Sequence, residues 1–213
     1  MPDMPRKIPA FPCVILAGGL SRRMGTNKSL VRLGGRTLLE HIVERLSPQA
    51  GAMALNGDRD WHEPSGLRRV PDTFSEKLGP LAGILAAMHD TASHHPAATH
   101  VLTVPTDAPL LPADLMARLA AAVTSSGSIA VASSDGNLHP VVGLWPVALA
   151  DDLEAWIFTD EKRRVRHFLQ RHQAIEVDFP MVETPAGRFD PFLNINTPEE
   201  LAAAEKWLES WDQ

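Results

Sequence analysis

Phe11-Pro12-Cys13-Val14-Ile15-Leu16-Ala17-Gly18-Gly19-Leu20-Ser21-Arg22-Arg23-Met24-Gly25-Thr26-Asn27-Lys28 is the stretch on which the fold turns. Its apolar half, Phe11 to Leu16, is short and stops abruptly at Ala17-Gly18-Gly19, which reads as a buried strand. The loop that follows holds Gly18, Gly19 and Gly25 together with three cations, Arg22, Arg23 and Lys28. Glycines let backbone amides approach phosphate oxygens with no Cβ in the way, and the cations neutralise what charge remains. The loop is not a Walker A loop, because Thr26-Asn27 separate Gly25 from Lys28. Nor is it the dinucleotide fingerprint, because Gly18 and Gly19 are adjacent.

Outward from this stretch the chain alternates strand and helix. Leu30 to Leu33 reads as a short edge strand closed by Gly34-Gly35. Thr37 and Glu40 form a capping box ahead of the apolar stripe Leu38, Leu39, Ile42, Val43 and Leu46. Ala52 to Leu55 is a second strand, stopped by Asn56-Gly57, and Val70-Pro71-Asp72 ends a third. Gly79-Pro80 opens a helix with proline in its first turn. His100 to Val104 is a strand ending at Pro105-Thr106-Asp107, Pro112 to Val123 a helix and Ile129 to Ala132 a strand. The second half is less regular. It has a strand at Val141 to Trp145, helices at Ala148 to Ile157 and Val165 to Arg171, and a strand at Ile175 to Phe179. A last helix starts with Thr197 as cap and Pro198 at its first position. This pattern predicts an α/β fold: a single-domain, Rossmann-like three-layer α/β/α sandwich with a mostly parallel central sheet. We expect residues 1–10 to be a loose leader and 11–213 one domain.

Composition agrees with a globular chain. Of 213 residues, 44% are hydrophobic and 22% charged, which argues against disorder. The net charge of −6 argues against nonspecific coating of nucleic acid. No apolar run reaches the roughly 18–20 residues of a membrane span. One cysteine, Cys13, excludes an intramolecular disulfide framework and a thiolate metal cluster, and fits a reducing cytoplasm. Inside a strand, it reads as an inert buried thiol.

In open α/β sheets, ligands bind outside the carboxyl ends of the strands. Here those ends carry Gly18-Gly19, Asn56, Asp72 and Asp107 in turn. Each one singly is an ordinary turn former, but four together point to a site. Asp107, beside Pro109, reads equally as a turn residue or as an oxygen ligand for a cation. A second basic cluster, Lys162, Arg163, Arg164, Arg166 and Arg171, is either a solvated helix face or an anion site. His139, before Pro140, is either a turn residue or part of a second substrate pocket.

The run Leu-Ala-Gly-Gly-x-Ser-x-Arg-Met-Gly-x-x-Lys resembles the signature of nucleotidyltransferases of the nucleotide-diphosphosugar-transferase type. Further matches at Asn56-Gly57, Asp72, Gly79 to Ile84, Pro105 to Pro109, His139-Pro140 and Asn194 to Leu201 are similar to the molybdenum cofactor guanylyltransferases, the MobA family. The resemblance implies transfer of GMP from GTP to molybdopterin with release of pyrophosphate. It implies that Leu16, Ala17, Gly18, Gly19, Lys28, Asn56, Asp72, Gly79, Gly83 and Asp107 hold GTP. It further implies that Asp107 ligates Mg²⁺, that Arg23 and Lys28 join Asp107 in catalysis, and that Asn194, Asn196 and Arg23 face molybdopterin; the second basic cluster adds Arg163 and Arg164 as an expectation on that side. Asn27 departs from the family, which has Asp before the lysine. Implied partners are GTP, molybdopterin and, transiently, the machinery that loads molybdopterin and the molybdoenzymes that accept the product, with no nucleic acid and no membrane. The alternatives are a molybdopterin cytidylyltransferase, another small-molecule nucleotidyltransferase, or a noncatalytic nucleotide-binding protein on the same scaffold.

Overall fold

The computed structural model describes residues 10–17, 31–57, 66–74, 78–159 and 164–211. β1 (Cys13–Leu16) is buried along its whole length, as an apolar run without polar alternation requires. Parallel neighbours flank it, β4 (Met53–Asn56) on one side and β6 (His100–Pro105) on the other. β5 (Arg68–Val70) extends the sheet beyond β4. Past β6 lie β8 (Asn137–Pro146), β7 (Ala130–Ser134) and β9 (Ile175–Asp178), giving the order β5-β4-β1-β6-β8-β7-β9.

The sheet is parallel except for β8, which runs against both β6 and β7. The reversal is local in origin. Asp135 (φ 47°) and Gly136 (φ 74°) both adopt positive φ, which makes a two-residue hairpin. So short a link cannot carry a parallel crossover. Asp-Gly is the signal that marks this hairpin, and β8 is longer than the Val141 to Trp145 strand expected from apolar residues alone.

Helices cover both faces. Cys13 and Ile15 face α1 (Leu38–Leu46) and α3 (Leu115–Ala122), whereas Val14 and Leu16 face α2 (Pro80–His94), α4 (Ala150–Thr159) and α5 (Val165–Arg171). Each large aliphatic side chain so buried contributes roughly 1.5–3 kcal/mol. α3 starts three residues later than Pro112, and a 3₁₀ turn at Val147–Leu149 precedes α4. Thr37 caps α1 as expected. Its hydroxyl accepts from the Glu40 amide at 3.1 Å and its own amide donates to Glu40 Oε2 at 2.6 Å.

A third apolar cluster lies off the sheet. The ribbon β2 (Arg32–Leu33) and β3 (Arg36–Thr37), turning through Gly34 and Gly35 at positive φ, packs with α6 (Pro198–Trp211) and the hairpin β10 (Val182–Thr184) and β11 (Gly187–Phe189). Leu33 is therefore in a separate ribbon, not at the edge of the main sheet. β10 and β11 are short and half-exposed, and the sequence pattern does not announce them. Trp207 stacks on Phe189 with ring centres 5.0 Å apart. This cluster buries Ile195, whose amide donates to the Asp107 carbonyl at 2.8 Å. It thereby fastens residues 193–195 to the end of β6.

Candidate active site

The strand ends are laced together by backbone hydrogen bonds that continue the sheet past its last residues. Gly57 donates to Val70 at 3.2 Å, Ala17 to Asn56 at 2.9 Å and Thr106 to Leu16 at 3.2 Å. Beyond this lacing opens a cleft of about 300 Å³. Its lining follows the strand order. Asp72 stands past β5, Asn56 at the end of β4, Leu16 at the end of β1, and Pro105 and Asp107 at and past β6. Leu138 to Val142 of β8 close one side with Phe192 and Asn194, while Gly79, Pro80 and Gly83 from the start of α2 close the other.

Of the residues implicated from sequence, the cleft gathers Leu16, Asn56, Asp72, Gly79, Gly83, Asp107 and Asn194. Ala17 follows β1 directly, held through its amide. Gly18, Gly19, Arg23, Lys28 and Arg163 lie outside the described residues. Asn196 does not line the cleft: its amide donates to Glu200 Oε2 at 2.6 Å in the cap of α6, and its side chain reaches the Asn194 carbonyl at 3.3 Å. Arg164 is exposed at the start of α5 and is also absent from the lining.

Asn56 lines the cleft and also supports its neighbour Asp72. Its Nδ2 donates to Asp72 Oδ1 at 2.8 Å and to the Val70 carbonyl at 3.0 Å. Both amide hydrogens are thus engaged, and Asn56 is almost fully buried. Asn56 orients Asp72 and leaves the carboxylate as the group available to a donor edge. Gly83 leaves room for this arrangement, since a Cβ there would sit 2.8 Å from Asn56 Oδ1.

β8 brings its residues to the cleft through a bulge. Val131 pairs with Gly143, yet the next residue, Ala132, pairs with His139. Pro140 to Val142 therefore have no partner on β7, as suits a proline that has no N–H to offer a ladder. Thr103 fixes the distortion from below: its hydroxyl donates to the Val141 carbonyl at 2.6 Å and accepts from Trp145 Nε1 at 2.9 Å.

His139 is a functional candidate whose setting only the structure reveals. Its Nε2 lies 2.6 Å from Ser134 Oγ and 3.4 Å from Asp190 Oδ2, and its ring packs on Phe192 at 4.7 Å. Burial alone would raise the Asp190 carboxyl. Hydrogen bonds from His139, the Phe192 amide and Ser134, with the charge of His139, outweigh it and hold the carboxyl below its ordinary value. Cys13, by contrast, is chemically silent: burial pushes its thiol up to about 12.

A hard oxygen set suits a divalent cation that also binds phosphates. Asp107 supplies one carboxylate in the cleft, and among the described residues no group of three or more metal-ligating side chains converges. One carboxylate suffices for such a cation when phosphate oxygens complete its shell. Among the described residues no helix is long and apolar enough to cross a membrane.

Residues 13–175 match the family described as MobA-like NTP transferase domain. A molybdenum cofactor guanylyltransferase of Rhizobium meliloti (strain 1021) is 59% identical over 199 residues, covering 92% of this chain and 91% of its own. One from Rhizobium rhizogenes (strain K84 / ATCC BAA-868) is 53% identical over 205 residues, covering 96% and 94%. Among solved structures, molybdopterin-guanine dinucleotide biosynthesis protein A from Archaeoglobus fulgidus superposes with a TM-score of 0.70 over 93% of this chain and 99% of its own. Its 23% identity makes this a likeness of fold.

Proposed function

The chain belongs to the molybdenum cofactor guanylyltransferases, a family built on the MobA-like NTP transferase domain, and from that premise we propose how its cleft divides the work. The reaction is nucleotidyl transfer in molybdenum cofactor biosynthesis. The donor is GTP and the acceptor is the phosphate of molybdopterin. An acceptor oxygen forms a bond to the α-phosphorus while the bond to the β-phosphate breaks, and pyrophosphate leaves with the electron pair. Both reactants are anionic, so the protein's task is alignment and charge screening.

The observation that carries this reading is the row of strand ends along one cleft, from Asp72 to Asp107 to His139. β5 and β6 are three strand spacings apart, about 14 Å, which leaves room for the nucleotide along the row. The Asp72 carboxylate accepts from the N1–H and exocyclic amine of guanine, with Asn56 fixing its direction. The Ala17 amide is committed to the Asn56 carbonyl, so the amides for the phosphates come from Gly18 and Gly19, and Arg23 and Lys28 supply cations. Asp107 is the residue that would hold Mg²⁺. When bound there, the ion would screen the triphosphate and stabilise charge on the transferring phosphoryl group. Asn194, which lines the cleft beside Phe192, belongs to the acceptor side. The lone buried thiol suits the reducing cytoplasm, where we place the enzyme.

The test is product formation with molybdopterin, Mg²⁺ and each of GTP, CTP and ATP. A buried polar edge rejects analogues that leave it unpaired by roughly 10⁴-fold, so GTP should dominate in kcat/KM. Equal use of GTP and CTP would overturn the base assignment, and preference for CTP would make the enzyme a cytidylyltransferase.

A further inference from the structure

We propose that His139 and Arg166 form the subsite that grips the acceptor's phosphate, an inference that rests on the guanylyltransferase reading above. His139 lies on the bulged stretch of β8, and β8 is the immediate neighbour of β6, whose end carries Asp107. The two strands are about 4.8 Å apart. A phosphate monoester held on β8 therefore stands one strand from the phosphoryl group that Asp107 serves, within reach of the roughly 3–3.5 Å approach that in-line attack needs.

The imidazole is held on one nitrogen and one face. Ser134, fully buried, and Asp190 both meet Nε2, and the buried Phe192 packs against the ring. Nδ1 makes no hydrogen bond among the described residues. With the Nε2 hydrogen directed at Ser134 and Asp190, Nδ1 donates only from the imidazolium. Asp190 compensates that charge, and an anion at Nδ1 completes the arrangement.

Arg166 adds a second cation at the neighbouring residue, Leu138, from just outside the cleft lining. From α5 its Nη2 donates to the carbonyl of Leu138 at 3.0 Å, and Leu138 lines the cleft. This engages one of the five guanidinium donors. Other charged groups at this end of β8, among the described residues, include Asp107 past β6 and Arg188, which lies 3.6 Å from Asp135 at the β7–β8 turn and 3.5 Å from Glu183. The ligand is thus the dianionic phosphate monoester of the acceptor. Such a nucleophile has no proton to surrender, so His139 binds it and does not serve as a base. Asp190 is a positioning residue that acts through His139.

Steady-state kinetics of the full chain, with GTP and molybdopterin varied separately, test the proposal. His139→Gln should raise the molybdopterin KM about tenfold or more, the loss expected for a charge-assisted contact, with the GTP KM unchanged. Arg166→Gln should raise the same KM, and Asp190→Asn should raise it less, each with kcat and GTP KM nearly unmoved. Inorganic phosphate should compete with molybdopterin, and more weakly in His139→Gln. If His139→Gln melts early, Arg166→Gln decides, because that side chain is exposed. Wild-type turnover with an unchanged molybdopterin KM in the variants overturns the phosphate subsite and leaves the guanylyltransferase reading intact. Absence of any guanine dinucleotide product from the wild type overturns both.

Discussion

Asn56 Nδ2 donates to Asp72 Oδ1 at 2.8 Å, joining the ends of two parallel strands across 16 residues of sequence. The bond turns a buried amide into a support for a cleft carboxylate. It leaves Asn56 no freedom to move, because the same nitrogen also holds the Val70 carbonyl.

Gly83 is where that rigidity is most easily tested. Glycine to alanine inside a helix ordinarily stabilises by about 0.5–1 kcal/mol. At Gly83 the new Cβ would lie 2.8 Å from Asn56 Oδ1 and 3.4 Å from a Leu16 methyl. Asn56 cannot withdraw without losing its bonds, so overpacking by about 1–3 kcal/mol prevails. Gly83→Ala should lower the melting temperature and raise the GTP KM. An unchanged or higher melting temperature would mean that Asn56 is free to shift.

Asp107→Asn should separate fold from chemistry. The bond that fastens residues 193–195 uses the Asp107 carbonyl, which the substitution keeps. On the cation-holding role proposed for Asp107, loss of its charge should cut kcat by about a hundredfold or more, with nearly unchanged melting. Turnover should then respond only weakly to Mg²⁺ titration. Wild-type turnover at limiting Mg²⁺ would place the cation elsewhere.

Thr103→Val removes the acceptor of Trp145 Nε1, in the interior, and the donor to the half-buried Val141 carbonyl. Leaving such groups unpaired costs about 1–3 kcal/mol. The denaturation midpoint should fall without a change in slope. Because Val141 belongs to the bulge, the molybdopterin KM should rise more than the GTP KM. Trp145→Phe in the same background should cost less than it does alone, since its partner is already gone.

His100 gives stability a pH dependence. The ring is buried, with Nδ1 beside the Thr99 hydroxyl at 2.9 Å and Nε2 against the Ser128 carbonyl at 3.1 Å, partners that satisfy a neutral imidazole. Burial lowers its pKa below 6.5, against the smaller raising effect of the Ser128 bond. Below 6.5 the unfolded chain takes up a proton that the folded chain refuses. The contribution of His100 is therefore complete above 6.5 and is lost as pH falls from there through the folded value. Denaturation midpoints between about pH 7.5 and 5 should show this decline, and His100→Gln should flatten it.

Much of the fold is written in neighbouring residues, because the forces concerned act over one strand or one helical turn. The Phe11–Leu16 run stopped by Ala17-Gly18-Gly19, the Thr37–Glu40 and Thr197–Glu200 caps and the Gly79-Pro80 helix start were all legible that way. So was the list of polar strand ends, since parallel strands deliver their carboxyl ends to one edge. Tertiary structure alone decided what those residues face. That Asn56 supports Asp72 is visible only once β5 sets the two side by side. The Asp135-Gly136 turn that reverses β8 is a local signal, but the bulge that carries His139 into the cleft is not. Asp190 lies 51 positions from His139 and meets it only because β10, β11 and α6 pack as a third cluster. Contacts of this kind depend on strand order and on which side of a strand a residue points, and neither quantity is local to the chain.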